Sequence, residues 1–311
     1  MGTKKKTVQI TADVNKQNVI DAPDDLNETQ VLLTEVFGEI DNIYRNKELP
    51  SVMTGIDELD ERLQGFRKGD INIIASRPTI GKTLLALTIF SNITSQGINS
   101  LYISFDKYEH ELLKSILSIK SSINDSRFDT GFLTVTDFKA LAETIKSVND
   151  NSDNIFLKTF FNADLHKLKE YIKKKVNENK IEIVFIDYLT MIMPAPTYPN
   201  RWEQVAEISR SLKTMAMEFK IPFVVLCPIH RNVDVTPQIN DLSESGSIEY
   251  EADRIIILYN KPKNRKGMDK INGNIISVYI AKNRRGPTAV FDLEFDYKMK
   301  TIKKLKSEST T

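Results

Sequence analysis

The chain has 311 residues, 41% hydrophobic and 27% charged, with a formal net charge of +1. It has no apolar run near the roughly 20 residues that span a bilayer and no apolar N-terminal stretch resembling a signal peptide, so the reading is a soluble, cytoplasmic protein without a membrane partner. A single cysteine, Cys227, excludes an internal disulfide framework, and three scattered histidines beside it do not make a zinc site.

Residues 1–26 are polar, with Lys4-Lys5-Lys6 near the start and Pro23-Asp24-Asp25 near the end, and read as a disordered arm. Asn27 caps a predicted helix over about 28–46. Its Val31, Leu32, Leu33, Val36, Phe37, Ile40, Ile43 and Tyr44 recur at three- and four-residue steps, giving one apolar stripe. Such a stripe needs a surface to bury against, in its own core or on a neighbouring subunit.

From Thr54 onward strands and helices alternate. Strands are predicted over 70–75, 100–105, 181–187, 222–226, 254–259 and 274–280, and helices over 84–95, from about 108, and over 202–220. Continuous apolar strands alternating with helices imply an α/β fold: a mostly parallel sheet with helices on both faces. One nucleotide-type domain fills 48–302, residues 27–47 form the helix before it, and 303–311 is a polar tail.

The turn after the first strand reads Ser76-Arg77-Pro78-Thr79-Ile80-Gly81-Lys82-Thr83. A strand, a tight turn and Gly-Lys-Thr opening a helix make a phosphate-binding loop. Backbone N–H groups and the positive helix end hold phosphates, Lys82 reaches the β/γ oxygens, and the Thr83 hydroxyl ligates Mg²⁺. Ser76 stands where the usual pattern has its first glycine, which costs little if its backbone stays in a region open to other residues. The strand Ile183-Val184-Phe185-Ile186-Asp187 ends in a carboxylate that holds Mg²⁺ beside such a loop. Together the two motifs specify a P-loop NTPase using ATP and Mg²⁺.

Over about 28–300 the chain resembles the C-terminal, RecA-like motor domain of DnaB-type replicative helicases. The stretches that carry the likeness are TGIDELDERLQGFRKGDINIIASRPTIGKT (54–83), FIDYLTMI (185–192), NRWEQVAEISRSLKTMAMEFKIPFVVL (200–226), DLSESGSIEYEADRIIILY (241–259) and IAKNRRGPT (280–288). The last two are the most specific. The resemblance makes Ser76 family-typical and implies a hexameric ring with nucleotide between neighbours. Lys282 and Arg284 stand where the family places basic residues that reach the adjacent subunit's γ-phosphate. The helix at 28–46 looks like the linker helix that docks on a neighbour. The loop around Ser243–Gly246, with Glu244, Ser245 and Gly246, lies where the family grips single-stranded DNA. Arg201 is a further DNA candidate, and Trp202 beside it either stacks on a base or packs at the helix start.

Four departures stand out. The family's N-terminal collar has no counterpart among the residues before the linker helix. Asp106 occupies the place of the glutamate that activates the attacking water, and a displacement of about 1 Å there can cost roughly 10²-fold. Pro228 replaces a glutamine that senses the γ-phosphate and offers no side-chain amide. Ser243 replaces an arginine, removing one cation from the DNA grip. Glu109, three residues after Asp106, should point elsewhere. Two readings follow: an NTP-driven helicase or translocase on single-stranded DNA, or a hydrolysis-attenuated paralogue that binds ATP and loads or regulates a replicative helicase. A RecA-type recombinase shares the motor fold but not DLSESGSIE or KNRRGP.

Overall fold

The computed structural model describes residues 27–46, 51–194, 200–229, 236–242, 245–260 and 275–305. The arm at 1–26 and the end of the tail at 306–311 lie outside these residues. The chain divides into two units after Leu49. The first contributes helix α1 (Glu28–Asn46). Its start is fixed by a reciprocal cap: Gln30 N–H donates to Asn27 Oδ1 at 2.9 Å, and Asn27 N–H donates to Gln30 Oε1 at 3.0 Å. Leu32, Leu33, Val36, Ile40 and Tyr44 are exposed along it.

In the second unit, β1 (Ser51–Val52) and β2 (Phe66–Arg67) pair on either side of α2 (Asp57–Leu63). There follow β3 (Ile71–Ser76), α3 (Lys82–Ser95), β4 (Ser100–Ser104), α4 (Glu109–Ser121), α5 (Ser126–Thr130), α6 (Val135–Asp150), β5 (Ile155–Thr159), α7 (Leu165–Asn179) and β6 (Ile183–Asp187). The chain continues through α8 (Arg201–Phe219), β7 (Phe223–Pro228), α9 (Ser245–Glu251), β8 (Arg254–Tyr259), β9 (Ile275–Asn283), β10 (Ala289–Asp296) and β11 (Thr301–Lys304). The sequence reading assigns no element to 126–179, which holds α5, α6, β5 and α7. Strand β11 also takes in Lys303 and Lys304, which that reading gave to the tail.

The nine-stranded sheet runs β11-β10-β9-β8-β3-β7-β6-β4-β5. From β8 to β5 neighbouring strands are parallel, as continuous apolar runs joined by helices require. Beyond β8 the pairs turn antiparallel. The turns after Asn283 and Asp296 are far too short for the crossover that parallel neighbours need.

Both faces are covered. Ile71, Ile73 and Ala75 of β3 pack with Leu168 and Ile172 of α7, Ile208 and Leu212 of α8, and Ile248 of α9. Ile74 joins Leu59 and Leu63 of α2, Leu85, Ile89 and Phe90 of α3, and Leu112 and Ile116 of α4 on the other. The period-two alternation of strand side chains divides one apolar strand between two cores.

At the N-terminal edge of the parallel strands lies a buried ionic network. Arg254, 1% exposed, donates from Nη1 to Asp70 Oδ2 at 2.8 Å and to Asn72 Oδ1 at 3.0 Å. Asp253 Oδ2 accepts from the Ile71 N–H at 2.8 Å and from Lys213 Nζ at 2.7 Å. Burial first, then the Asp253 charge, pushes the Asp70 carboxyl above its usual value. This network ties β3, β8 and α8 together at the end of the sheet away from the phosphate loop.

Candidate active site

Ser76 is the last residue of β3, fully buried, and in register with Pro228 on β7 and Leu258 on β8. The Ile229 N–H donates to its carbonyl at 3.0 Å. Its backbone is ordinary strand, so the position has no need of glycine. The left-handed residues of the loop are Thr79, at φ 69°, and Gly81, at φ 108°. Gly81 is constrained twice. Its φ is one that other residues rarely adopt, and a Cβ there would lie 3.0 Å from two carbons of the Phe295 ring. Tyr297 OH donates to the Ile80 carbonyl at 3.1 Å. Two aromatic residues of the C-terminal hairpin therefore shape the underside of the loop, while Pro78 and Thr79 are exposed and Arg77 is half-buried.

Lys82 and Thr83 open α3, whose first backbone N–H groups have no partner within the helix and whose dipole is positive at this end. Lys82 Nζ lies 5.6 Å from the centre of the Tyr188 ring. Thr83 Oγ1 donates to Asp187 Oδ2 at 3.1 Å, and Tyr102 OH donates to the same oxygen at 3.0 Å. Asp187 is 2% exposed at the end of β6, and the peptide bond to Tyr188 is cis. Burial pushes its carboxyl above the usual range, while the Tyr102 and Thr83 hydrogen bonds and the charges of Lys82 and Lys107 pull it back. A hydroxyl and a carboxylate 3.1 Å apart form a hard-oxygen pair that fits Mg²⁺, which takes one or two protein oxygens and completes its shell with phosphate and water. Among the described residues no group of three or more His, Cys, Asp or Glu is placed to hold a metal ion.

Asp106 follows β4 at the same edge of the sheet and is exposed. The N–H groups of Asp106 and Lys107 donate to Ser104 Oγ at 3.2 and 2.9 Å, and Ser104 is in register with Asp187. The Tyr188 phenol is pushed up by burial and then by the charges of Asp106 and Asp187. Glu109 turns away: its Oε1 accepts from the Thr159 N–H at 2.8 Å. Pro228 lies beside Ser76 and presents no polar side-chain atom.

Lys282 and Arg284 sit elsewhere. Lys282 is in register with Ile255, itself opposite Ile73, and so lies three residues, about 10 Å, back along the strands from Ser76. The Arg284 N–H donates to the Asp253 carbonyl at 3.0 Å, and the Asp253 N–H donates to the Ile71 carbonyl at 2.9 Å. That sets Arg284 at the opposite end of β3, five residues or about 17 Å from Ser76. Both side chains cap α9. Lys282 Nζ donates to the Glu249 carbonyl at 2.6 Å, and Arg284 Nη2 donates to the Tyr250 carbonyl at 2.9 Å. Burial first, then the Arg284 charge, holds the Lys282 ammonium below its usual pKa.

Of the DNA candidates, Ser245 and Gly246 are the first residues of α9, the helix whose other end Lys282 and Arg284 cap. Glu244, like Ser243, lies outside the described residues. Arg201 opens α8 and donates from Nη2 to the Thr190 carbonyl at 2.8 Å. Trp202 is 62% exposed, which leaves it unpacked at the helix start. Sequence reasoning missed Tyr102, Tyr188, Phe295 and Tyr297. The alternation Phe291, Leu293, Phe295, Tyr297 was a legible strand signal, but nothing in it points at the loop.

No helix among the described residues is long and apolar enough to cross a membrane. The family model described as "DnaB-like helicase C terminal domain" matches residues 51–304. The chain is 32% identical over 271 residues to the replicative DNA helicase DnaB of Geobacillus stearothermophilus and 31% identical over 271 residues to the replicative DNA helicase DnaC of Bacillus subtilis (strain 168). Each match covers 85% of this chain and 59% of the relative. The chain therefore spans about three fifths of the length of these relatives. Among solved structures, that of an ATPase domain superposes with a TM-score of 0.80 at 27% identity, covering 91% of this chain and all of that one. A DnaB-like replicative helicase, solved in a study of its interactions with primase, gives a TM-score of 0.76 at 26% identity, covering 91% of this chain and 68% of that one. With the fold and the P-loop geometry agreeing, the chain belongs to the DnaB-like helicase C-terminal domain family.

Proposed function

We propose that this chain is an ATP-driven motor that moves on single-stranded DNA, assembled as a hexameric ring, and acts as a replicative-type helicase. The observation that carries the reading is the separation of Lys282 and Arg284 from the chain's own phosphate loop, by about half a strand and most of a strand respectively, beside an intact Thr83–Asp187 pair. A basic pair so far from its own nucleotide serves a neighbour's. Head-to-tail contacts of this kind close into rings.

In this reading residues 76–83 cradle the phosphates of ATP, Lys82 reaches the β/γ oxygens, and Thr83 and Asp187 hold Mg²⁺. The metal neutralises charge on the phosphates when bound. Asp106 orients the attacking water, and Lys282 with Arg284 leave the carbonyls of α9 to meet the adjacent γ-phosphate. Glu244, Ser245, Gly246 and Arg201 contact DNA. The exposed apolar side of α1 docks on a neighbouring subunit.

Two residues favour a second reading, a slow ATPase that binds ATP to load or regulate another helicase. Asp106 is one methylene shorter than a glutamate, and Pro228 puts no amide beside the loop. Steady-state ATP hydrolysis, with and without single-stranded DNA, on the wild type beside Asp106→Glu/Pro228→Gln separates the two. DNA-stimulated turnover by the wild type is the expected result. A silent wild type whose double variant turns over would replace the motor by the regulator.

A further inference from the structure

The Tyr102 hydroxyl is a polar atom at the end of a dry aromatic layer. Its ring is fully buried, stacked on Phe185 with centroids 5.8 Å apart and meeting the edge of Phe90 at 5.6 Å. A phenylalanine would fill that layer as well. A buried hydroxyl costs desolvation free energy unless it is bonded, and this one is bonded to Asp187 Oδ2 at 3.0 Å.

The contact follows from register. Tyr102 on β4 is opposite Phe185 on β6, and Ser104 is opposite Asp187. Side chains two apart share a face, so the phenol reaches diagonally across one step to the carboxylate. A carboxylate oxygen only accepts, so in this contact the phenol hydroxyl is the donor.

We propose that Tyr102 is a positioning residue, which fixes the rotation of the Asp187 carboxylate and so sets the Mg²⁺ requirement of nucleotide binding. This rests on the reading of Thr83 and Asp187 as the metal pair. The carboxylate torsion of an aspartate is broad and weakly restrained. Here two donors, Thr83 and Tyr102, converge on Oδ2, and among the described residues Oδ1 takes no hydrogen bond. Thr83 is itself a proposed metal ligand. Tyr102 is the donor to Asp187 that has no other task, and its ring is clamped by packing. Partners of this outer kind are worth about 10–100-fold in metal affinity.

The test is Tyr102→Phe in the full chain, titrated with a fluorescent ATP analogue in EDTA and then at rising Mg²⁺. The analogue should bind in EDTA as it does to the wild type, while half-maximal enhancement needs about tenfold more Mg²⁺. Phe185→Leu, or Phe90→Leu if that chain does not fold, disturbs the same aromatic layer and keeps the hydroxyl. It should leave the Mg²⁺ requirement near that of the wild type. An unchanged or lower requirement in Tyr102→Phe overturns the assignment, as does an equal rise in the packing variant. A wild type that binds no nucleotide in either condition would instead remove the motor reading on which the assignment rests.

Discussion

Glu109 accepts the backbone N–H of Thr159 at 2.8 Å and lies 3.7 Å from Lys158, a tie between the start of α4 and the end of β5. The carboxylate three residues after Asp106 is thereby committed to holding two elements together. Burial pushes its carboxyl up, but the Thr159 hydrogen bonds and the Lys158 charge outweigh this, and the net shift is downward. A lowered folded value means that the stability Glu109 supplies is present above the ordinary carboxylate pKa and lost as pH falls through the folded one. Glu109→Gln should melt below the wild type at pH 7, with the gap closing below about pH 4. Turnover per folded molecule should be unchanged, and a large loss would make Glu109 part of the chemistry.

Arg254 is the largest of the fully buried side chains and is paired with Asp70. Removing one member of such a pair strands the other in a medium that cannot solvate it. Arg254→Ala should cost about 3–5 kcal/mol, read from the midpoint of urea unfolding. A loss under about 1 kcal/mol would mean that Asp70 is protonated or reached by water.

Thr79 holds φ 69° with a β-branched side chain, which costs about 1–3 kcal/mol. Thr79→Gly removes that strain and gives back about 1 kcal/mol through the freer unfolded chain. The nucleotide-free variant should be more stable by on the order of 1 kcal/mol. A less stable variant would show that the threonine makes contacts worth more than its strain.

Lys82→Ala destroys a phosphate loop but leaves Lys282 and Arg284, and Arg284→Ala does the reverse. If these groups complete each other's sites across a subunit boundary, the two inactive proteins mixed before assembly should regain ATP turnover. A mixture as silent as its parts would mean that each chain completes its own site.

Much of this was legible in the sequence because two physical signals coincide. Short unbroken apolar runs rich in β-branched residues, such as Ile183–Ile186, read as strands buried on both faces, and a Gly-Lys-Thr between such a strand and a helical run reads as a phosphate loop. That located Lys82, Thr83 and Asp187. The alternation Phe291, Leu293, Phe295 marks β10 as a strand, but nothing in it shows that the hairpin's aromatics floor the phosphate loop, because the contact of Tyr297 with Ile80 joins residues 217 apart. The diagonal from Tyr102 to Asp187 depends on register, which no single strand contains. The role of Ser76 became plain only when β3 proved one residue longer than its apolar run, placing that residue inside the ladder.

The partners of the phosphate loop lie far along the chain: Ile80 meets Tyr297, 217 residues later, and Gly81 meets Phe295. A ribosome has made every residue of the loop by Thr83, yet the aromatic floor that shapes it emerges only near the end of synthesis. The floor of the loop is thus among the last parts of the domain to be synthesised, with only β11 to follow among the described elements. A nascent or truncated chain ending before Phe295 carries the whole Ser76–Thr83 motif without the aromatic floor that shapes it.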